Sequence, residues 1–401
     1  MLPKGFLVNG VKCGIYKNRD KNDIAIFCSD TLCACVGMFT SNLVKAAPVL
    51  VSMKNLKKSA DTAKVIIANS GGANCSTGKR GMVDAAFECS LVAEELGIRP
   101  EETLVASTGV IGQFLPMVNV IMGIDKLALK VMAGRSDELA AARAIMTTDT
   151  KPKIVSKKIF VGGKPVVVWG VSKGSGMMHP ALKAPHATMF AFILTDVLAD
   201  RDVLRASLEG AVEKSFNRVS VDGDTSTNDT VLMLANGVAA NEKIKKGTPG
   251  YKKFSRALEY VCVELARMMA ADGEGATKLV EIKVKNASNA AAAKKIAETV
   301  ATSPLVKTAM FGNDANWGRI IAAAGRAGVK FNPDRTDIFI GNILVFRNGM
   351  PAVFSEPEAK KILQRKVVGI TIDLKQGKSE DTYYTCDFSF DYVKINASYR
   401  S

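Results

Sequence analysis

The sequence predicts an α/β protein whose mixed sheets are layered against outer helices. Three observations predict it. Strand-like and helix-like stretches alternate from one end of the chain to the other, hairpin signals sit among helix-linked strands, and no fixed-period repeat or low-complexity linker interrupts the pattern. With 401 residues, 47% of them hydrophobic and 23% charged, the chain has the length for a large core, as two domains or as one large domain with a smaller unit.

Element by element, the apolar run Val65–Ala68 reads as a strand that ends in a tight loop, Asn69-Ser70-Gly71-Gly72. Lys79–Ile98 reads as a helix closed by Gly97. Thr103–Ala106 is a short strand feeding Ser107-Thr108-Gly109. Asp137 and Glu138 open a helix that runs through Met146, with the acids at its positive end. Ile159–Trp169 is a hairpin turned by Gly162-Gly163. Asp200 caps a helix that carries Leu204, Leu208, Val212 and Phe216 on one face. Thr230–Leu234 is a strand, Tyr251–Ala271 a long helix, and Leu279–Lys285 a half-buried alternating strand. Ser288 or Asn289 starts an alanine-rich helix that stops near Pro304, and Ile338–Phe346 reads as one buried strand. Ile370, Ile372 and Leu374 alternate with polar residues; past a loop at Lys375–Asp381, so do Cys386, Phe388, Phe390 and Tyr392. These last two runs predict an antiparallel hairpin whose second strand, Tyr383–Val393, anchors the tail Lys394–Ser401.

Composition excludes several classes. No run approaches the roughly 18–20 uninterrupted apolar residues that span a membrane, and Met1–Gly5 resembles neither a signal peptide nor a transit segment, so cytoplasmic residence is the expectation. The eight cysteines contain no Cys-x-x-Cys pair and only two histidines accompany them, so neither a disulfide framework nor a metal site is expected. The net charge of +15 raises nucleic-acid binding, but the lysines are scattered and aromatic residues are only 6% of the chain, too few for a base-stacking platform. Gly71–Arg80 and Gly273–Lys278 look like phosphate loops, yet neither has the glycine and Lys-Ser/Thr order that cradles phosphate, and Gly174/Gly176 lacks the third glycine of a dinucleotide fingerprint.

A threonine hydroxyl is a poor nucleophile without a base beside it. A chain cut ahead of a threonine supplies one, because the new α-amine, with a pKa of roughly 7.7–8.0, can take the hydroxyl proton. Residue types and spacing alone do not say which threonine this would be. Ser107-Thr108-Gly109, after an apolar strand, can bring a hydroxyl and a backbone N–H to one point, as an oxyanion requires, but a plain strand-end turn fits the same residues.

Several blocks decide between these readings: Gly37-Met38-Phe39-Thr40-Ser41-Asn42; Asn69-Ser70-Gly71; Thr108-Gly109; Met146–Thr150; Lys173-Gly174-Ser175-Gly176; Ala187-Thr188-Met189; Asp222–Thr230; Asp272–Lys278; Gly312–Arg319; and Ile395-Asn396-Ala397 with Ser401. In this order, over nearly the full chain, they resemble the self-cleaving ornithine acetyltransferase family of arginine biosynthesis. The resemblance implies a cut between Ala187 and Thr188, giving fragments 1–187 and 188–401 that stay interleaved, with Thr188 as nucleophile and Thr108 and Gly109 as the oxyanion pair. It implies substrate contacts at Thr147, Lys173, Thr188, Glu274, Asn396 and Ser401, with Lys173 suited to a carboxylate and Glu274 to the amine of ornithine. It implies Gly312–Arg319 as scaffolding. It also implies that the acetyl group of N-acetylornithine passes to glutamate, in an oligomer of fragment pairs, with no resident cofactor and, for some members, acetyl-CoA as co-substrate. The stretch from Lys173 to Thr188, which carries Ala181-Leu182-Lys183-Ala184-Pro185, departs from the family in being about four residues longer. His179 and His186 flank it as further candidate bases. Two other classes stay open on the residues alone: an N-terminal-nucleophile peptidase or amidohydrolase, which would pass the acyl group to water, and a basic nucleic-acid-binding protein.

Overall fold

The structure, a computed structural model, describes residues 1–16, 20–179 and 189–398. The chain divides into two compact units. One holds Met1–Asn217 and Asp224–Leu265; the other holds Arg218–Gly223 and the described residues from Ala266 on. Each has its own mixed sheet and helices, the α/β architecture the sequence predicts.

The strands begin with β1 (Phe6–Val11), β2 (Ile24–Phe39), β3 (Thr62–Gly72), β4 (Thr103–Val110), β5 (Lys153–Val161), β6 (Lys164–Lys173) and β7 (Phe190–Thr195) in the first unit. The short β8 (Val219–Ser220) belongs to the second unit, and β9 (Thr230–Ala235) to the first. The first sheet runs β4-β3-β2-β9-β7-β6-β5, with β1 paired to the opening half of β2. Its middle strands, β7 (FAFILT) and β9 (TVLMLA), are apolar apart from Thr195 and Thr230, because both of their faces are buried. Along β2 the side chains alternate between two cores: Ala25 and Phe27 pack with Trp169 and Phe192, while Ile24 and Ile26 pack with helix residues such as Cys89 and Ile124.

The helices of this unit are α1 (Ala47–Lys58), α2 (Gly78–Leu96), α3 (Met117–Met132), α4 (Glu138–Ala144) and α5 (Arg201–Glu213), and α6 (Pro249–Ala271) carries the chain into the second unit. Gly97 ends α2 in the left-handed conformation, at φ +62°, as expected of a C-terminal glycine. Asp137 caps α4 through its side chain, accepting from the Ala140 N–H. The β5–β6 hairpin turns at Gly162-Gly163, both with positive φ, between the paired residues Val161 and Lys164. Asp200 stands at the start of α5 but makes no side-chain cap; its carboxylate pairs with Lys243 at 2.6 Å instead. Phe216 lies beyond α5, buried in a following 3₁₀ turn.

Asn69–Gly72 and Ser107–Gly109 are not loops. They continue β3 and β4, which run parallel with Ser70 opposite Thr108 and Gly71 opposite Gly109.

The second unit holds β10 (Leu279–Ala287), β11 (Asp337–Ile340), β12 (Ile343–Arg347), β13 (Met350–Pro351), β14 (Val367–Asp373) and β15 (Ser379–Cys386), in the order β13-β12-β11-β14-β10-β15-β8. Its helices are α7 (Ala290–Ala301), α8 (Pro304–Phe311), α9 (Trp317–Gly325), α10 (Glu356–Leu363) and α11 (Phe390–Ser398). Asn289 caps α7.

Three expectations are corrected here. Ile338–Phe346 is not one strand but the hairpin β11–β12, folded back at Gly341 with φ +59°. The C-terminal runs do not pair with each other, because β10 lies between them, parallel to β14 and antiparallel to β15. The connecting loop crosses the end of β10, where the Leu374 and Gln376 N–H groups donate to the Lys285 and Asn286 carbonyls. The second run also stops early. Asp387 turns its carboxylate to the Thr277 and Lys278 N–H groups, and the chain from Phe390 is helical, so the tail is carried by α11 and not by a strand.

Candidate active site

Thr108 is buried near the end of β4, and Lys173 is buried as the last residue of β6. The Lys173 Nζ donates to Thr108 Oγ1 at 3.1 Å. Four strands separate β4 from β6 in the sheet order, so the sheet must curl to bring these residues together; the register of β2 with β3 shifts between Cys28 and Cys33, an irregularity of the kind that bends strands.

Gly109 follows in β4 with φ +132°. A Cβ there would stand 2.4 Å from the Gly71 carbonyl carbon and 2.7 Å from the Gly72 nitrogen, so only glycine fits. The carbonyl ahead of Thr108 is also held: the Asn228 amide donates to Ser107 O at 2.7 Å and to Ala73 O at 2.5 Å, while its own oxygen accepts from the Thr227 hydroxyl at 2.6 Å.

On the Lys173 side, Asp149 is the organising group. Its buried carboxylate accepts from Lys153 Nζ at 2.7 Å, from the Gly174 N–H at 2.8 Å and from the Thr147 N–H at 3.0 Å. Burial alone would raise its pKa, but the Lys153 ammonium, then Lys173, then the Gly174 N–H hold the carboxyl well below the usual carboxylate range. Thr147 and Lys173-Gly174 are thereby tied to one anion. Beside them, the hydroxyls of Thr148 and Ser175 hydrogen-bond at 2.7 Å.

Ala187 and Thr188, with His186 and Ala181–Pro185, lie outside the described residues, as does Ser401. The described chain resumes at Met189, whose carbonyl accepts from the Thr230 N–H at 2.7 Å. Phe190 then pairs with Lys173 on one side and with Thr230 on the other. The loop before β9 is fixed in turn by Thr40 to Ser226 O at 2.6 Å and by Asn42 to Thr225 O at 2.9 Å, while Thr225 donates to the His179 carbonyl at 2.9 Å.

Glu274 and Asn396 belong to the second unit and meet there. The Asn396 amide donates to Glu274 Oε2 at 2.9 Å, and Glu274 is buried. Gly275 has φ +69°, and a Cβ on it would stand 2.4 Å from the Tyr392 nitrogen. Ser389 closes the loop by donating to Gly275 O at 2.5 Å, and Asp387 grips Thr277 through both its N–H and its hydroxyl. The Gly312–Arg319 block serves as framework: Asn313 accepts from Lys278 Nζ at 2.7 Å, Asn316 caps α9, and Trp317 stacks on Phe346.

Asp149 and Asn228 were not singled out by sequence reasoning. Both stand inside the blocks Met146–Thr150 and Asp222–Thr230 that carry the resemblance, which is the signal that could have found them. All eight cysteines are free, and all but Cys13 are buried. Among the described residues no helix is long and apolar enough to cross a membrane.

Comparison with known proteins agrees with the motif blocks. The ArgJ family matches residues 7–401. The arginine biosynthesis bifunctional protein ArgJ of Symbiobacterium thermophilum is 47% identical over 100% of this chain and 98% of its own length, and that of Thermotoga neapolitana is 46% identical over 100% of both. The crystal structure of the Bacillus halodurans ArgJ protein is 43% identical, with a TM-score of 0.51 over 52% of this chain and 98% of that one. At this identity over the whole length, the chain belongs to the ArgJ family.

Proposed function

We propose that this protein moves an acetyl group from N-acetylornithine to glutamate by a ping-pong mechanism through an acetyl-threonine at Thr188, after cutting its own chain between Ala187 and Thr188. As a member of the ArgJ family it is an enzyme of arginine biosynthesis, a glutamate N-acetyltransferase. The observation that carries the mechanism is the bond between Lys173 of β6 and Thr108 of β4, with Lys173 paired in its own ladder to Phe190, two residues past Thr188.

In maturation the Thr188 hydroxyl oxygen attacks the Ala187 carbonyl carbon. Its proton goes to the departing amide nitrogen, which becomes the α-amine of Thr188, and an ester forms. Water cleaves the ester, leaving a carboxylate on Ala187 and a free hydroxyl on Thr188. In turnover the α-amine takes the hydroxyl proton as the oxygen attacks the acetyl carbonyl of N-acetylornithine, and returns a proton to the nitrogen of departing ornithine. The amine of glutamate then attacks the acetyl ester, and the hydroxyl is regenerated. The Thr108 hydroxyl and the Gly109 N–H stabilise the oxyanion in each step; removing such a donor costs on the order of a hundredfold in rate.

Lys173 receives a substrate carboxylate and Glu274 the side-chain amine of ornithine, with Thr147, Asn396 and Ser401 completing the contacts. Acetyl-CoA would enter this cycle as a second donor to Thr188. Fragments 1–187 and 188–401 would stay joined, because β7 and β9 share one sheet with β2 and β6.

The test is a denaturing gel with N-terminal sequencing, followed by an acetyl-transfer assay. Native protein should give two bands, one beginning Thr188-Met189-Phe190, and should acetylate glutamate faster than it hydrolyses N-acetylornithine. Thr188→Ala should remain one inactive chain. Transfer to water alone would instead mark an amidohydrolase.

A further inference from the structure

We propose that Lys173 is a positioning residue for the oxyanion donor: by donating to the Thr108 hydroxyl oxygen, it turns the Thr108 proton toward the reacting carbonyl, in chain cleavage as well as in acetyl transfer. The proposal rests on the reading of the site given above and adds a second duty to a residue assigned there to substrate.

The argument starts from valence. An ammonium has three donors and no acceptor, so at the 3.1 Å contact the threonine oxygen must accept. The hydroxyl has one proton, and that proton cannot point at Lys173. A hydroxyl that accepts a charge-assisted bond is also a stronger donor through its own proton, and burial of both residues sharpens the effect. The contact therefore orients and polarises the group expected to meet the oxyanion.

Both ends of the contact are anchored. Behind Thr108, Asn228 holds the Ser107 carbonyl at 2.7 Å, and Gly109 is locked against Gly71. Behind Lys173, Asp149 holds the Gly174 N–H at 2.8 Å and is itself fixed by Lys153 at 2.7 Å and by the Thr147 N–H at 3.0 Å. Waiting for a substrate carboxylate requires only a positive charge at the site. Orienting a hydroxyl requires a fixed direction, and the anchors provide it.

The two duties separate experimentally, because self-cleavage involves no free amino acid. A lysine that only binds a substrate carboxylate is dispensable for the cut; one that orients Thr108 is not. The experiment is a time course of chain cleavage during cell-free synthesis, read on a denaturing gel, for the native chain, Lys173→Met, Lys173→Gln, Thr108→Val and the double variant Lys173→Met/Thr108→Val. Melting curves of each protein check folding. Lys173→Met should cut at least about tenfold more slowly, the scale of one hydrogen bond to a charged group. Lys173→Gln, which keeps a donor, should fall between Lys173→Met and the native chain. The double variant should be no slower than Thr108→Val, since Lys173 acts through that hydroxyl. Cutting of Lys173→Met at the native rate, or multiplied losses in the double variant, overturns the proposal. Should Lys173→Met fail to fold, the same non-additivity is read with Lys173→Gln in its place. Should Thr188→Ala be cut like the native chain, the parent reading fails; should Thr188→Ala stay whole while Lys173→Met cuts normally, only this proposal does.

Discussion

The Asn396 amide donates to the Glu274 carboxylate at 2.9 Å and to the Tyr392 carbonyl at 3.0 Å, bridging α11 to a loop 122 residues earlier. The helix that carries Asn396 buries none of its residues fully, so its removal exposes little apolar core. Deletion of residues 396–401 should therefore raise the KM for N-acetylornithine several-fold while leaving the melting temperature nearly unchanged. Steady-state kinetics and a thermal melt check this; an unchanged KM would refute it.

Glu274→Gln tests charge apart from hydrogen bonding. The new amide oxygen can still accept from Asn396, but the negative charge offered to an amine is gone. The acetyl-donor half-reaction with N-acetylornithine should weaken by about tenfold in kcat/KM. Equal kinetics for the two proteins would remove Glu274 from the substrate site.

Gly109→Ala places a Cβ 2.4 Å from the backbone of Gly71 at a φ that alanine resists. The β3–β4 ladder would have to open at its end, at a cost of about 2 kcal/mol or more. The variant should melt several degrees lower and accumulate uncut chain. Native melting with native cutting would show that the two strands tolerate the side chain.

Asp149 gives a pH signature. Its folded-state carboxyl lies below the unfolded value of about 3.9, so its stabilisation is fully present above that pH and is lost as pH falls through the folded value. The gap in melting temperature between the native protein and Asp149→Asn should be constant from about pH 8 to pH 5 and should narrow below about pH 4. A gap that does not depend on pH in the acid range would count against the ion-paired carboxylate.

Glu88 gives the opposite sign. It is buried in α2 with neither carboxyl oxygen hydrogen-bonded among the described residues, and burial, with the Asp84 charge second, pushes it up to about 8. A carboxyl raised on folding leaves stability intact below the unfolded value of about 4.3 and lowers it as pH climbs toward 8. Glu88→Met should raise the melting temperature at pH 8, and the gain should shrink toward pH 4.5. A gain of equal size at both values would mean that packing, not ionisation, sets the effect.

Much of the architecture is legible in the residues, where a local cause suffices. Gly97 ends α2 because only a left-handed residue closes that turn, and Gly162-Gly163 fold β5 onto β6 because both positions need positive φ. The errors arise where the cause is distant. Alternation marks Ile370–Leu374 and Tyr383–Cys386 as strand, but nothing local says that β10, a hundred positions earlier by rough count, is inserted between them. Phe388–Tyr392 alternates just as well, yet it leaves the sheet because Asp387 is occupied by Thr277 and Lys278. The candidate site divides the same way. Thr108, Gly109, Lys173 and Glu274 are found through their motif blocks, whereas Asp149 and Asn228 act through bonds to backbone groups of other segments, which spacing does not encode.

Strand β7 lies between β6 and β9 at the middle of its sheet, with residues 180–188 just ahead of it. The proposed break between Ala187 and Thr188 would relieve a covalent link while leaving the described pairing of β7 with β6 and β9 in place. The halves produced separately would face a harder problem than two finished bodies meeting: each would be a torn sheet, needing a strand from the other to cover its open edge. On the cleavage proposed above, breakage would therefore be an event for a chain that has already taken shape, and the resulting pair would come apart only as it melts.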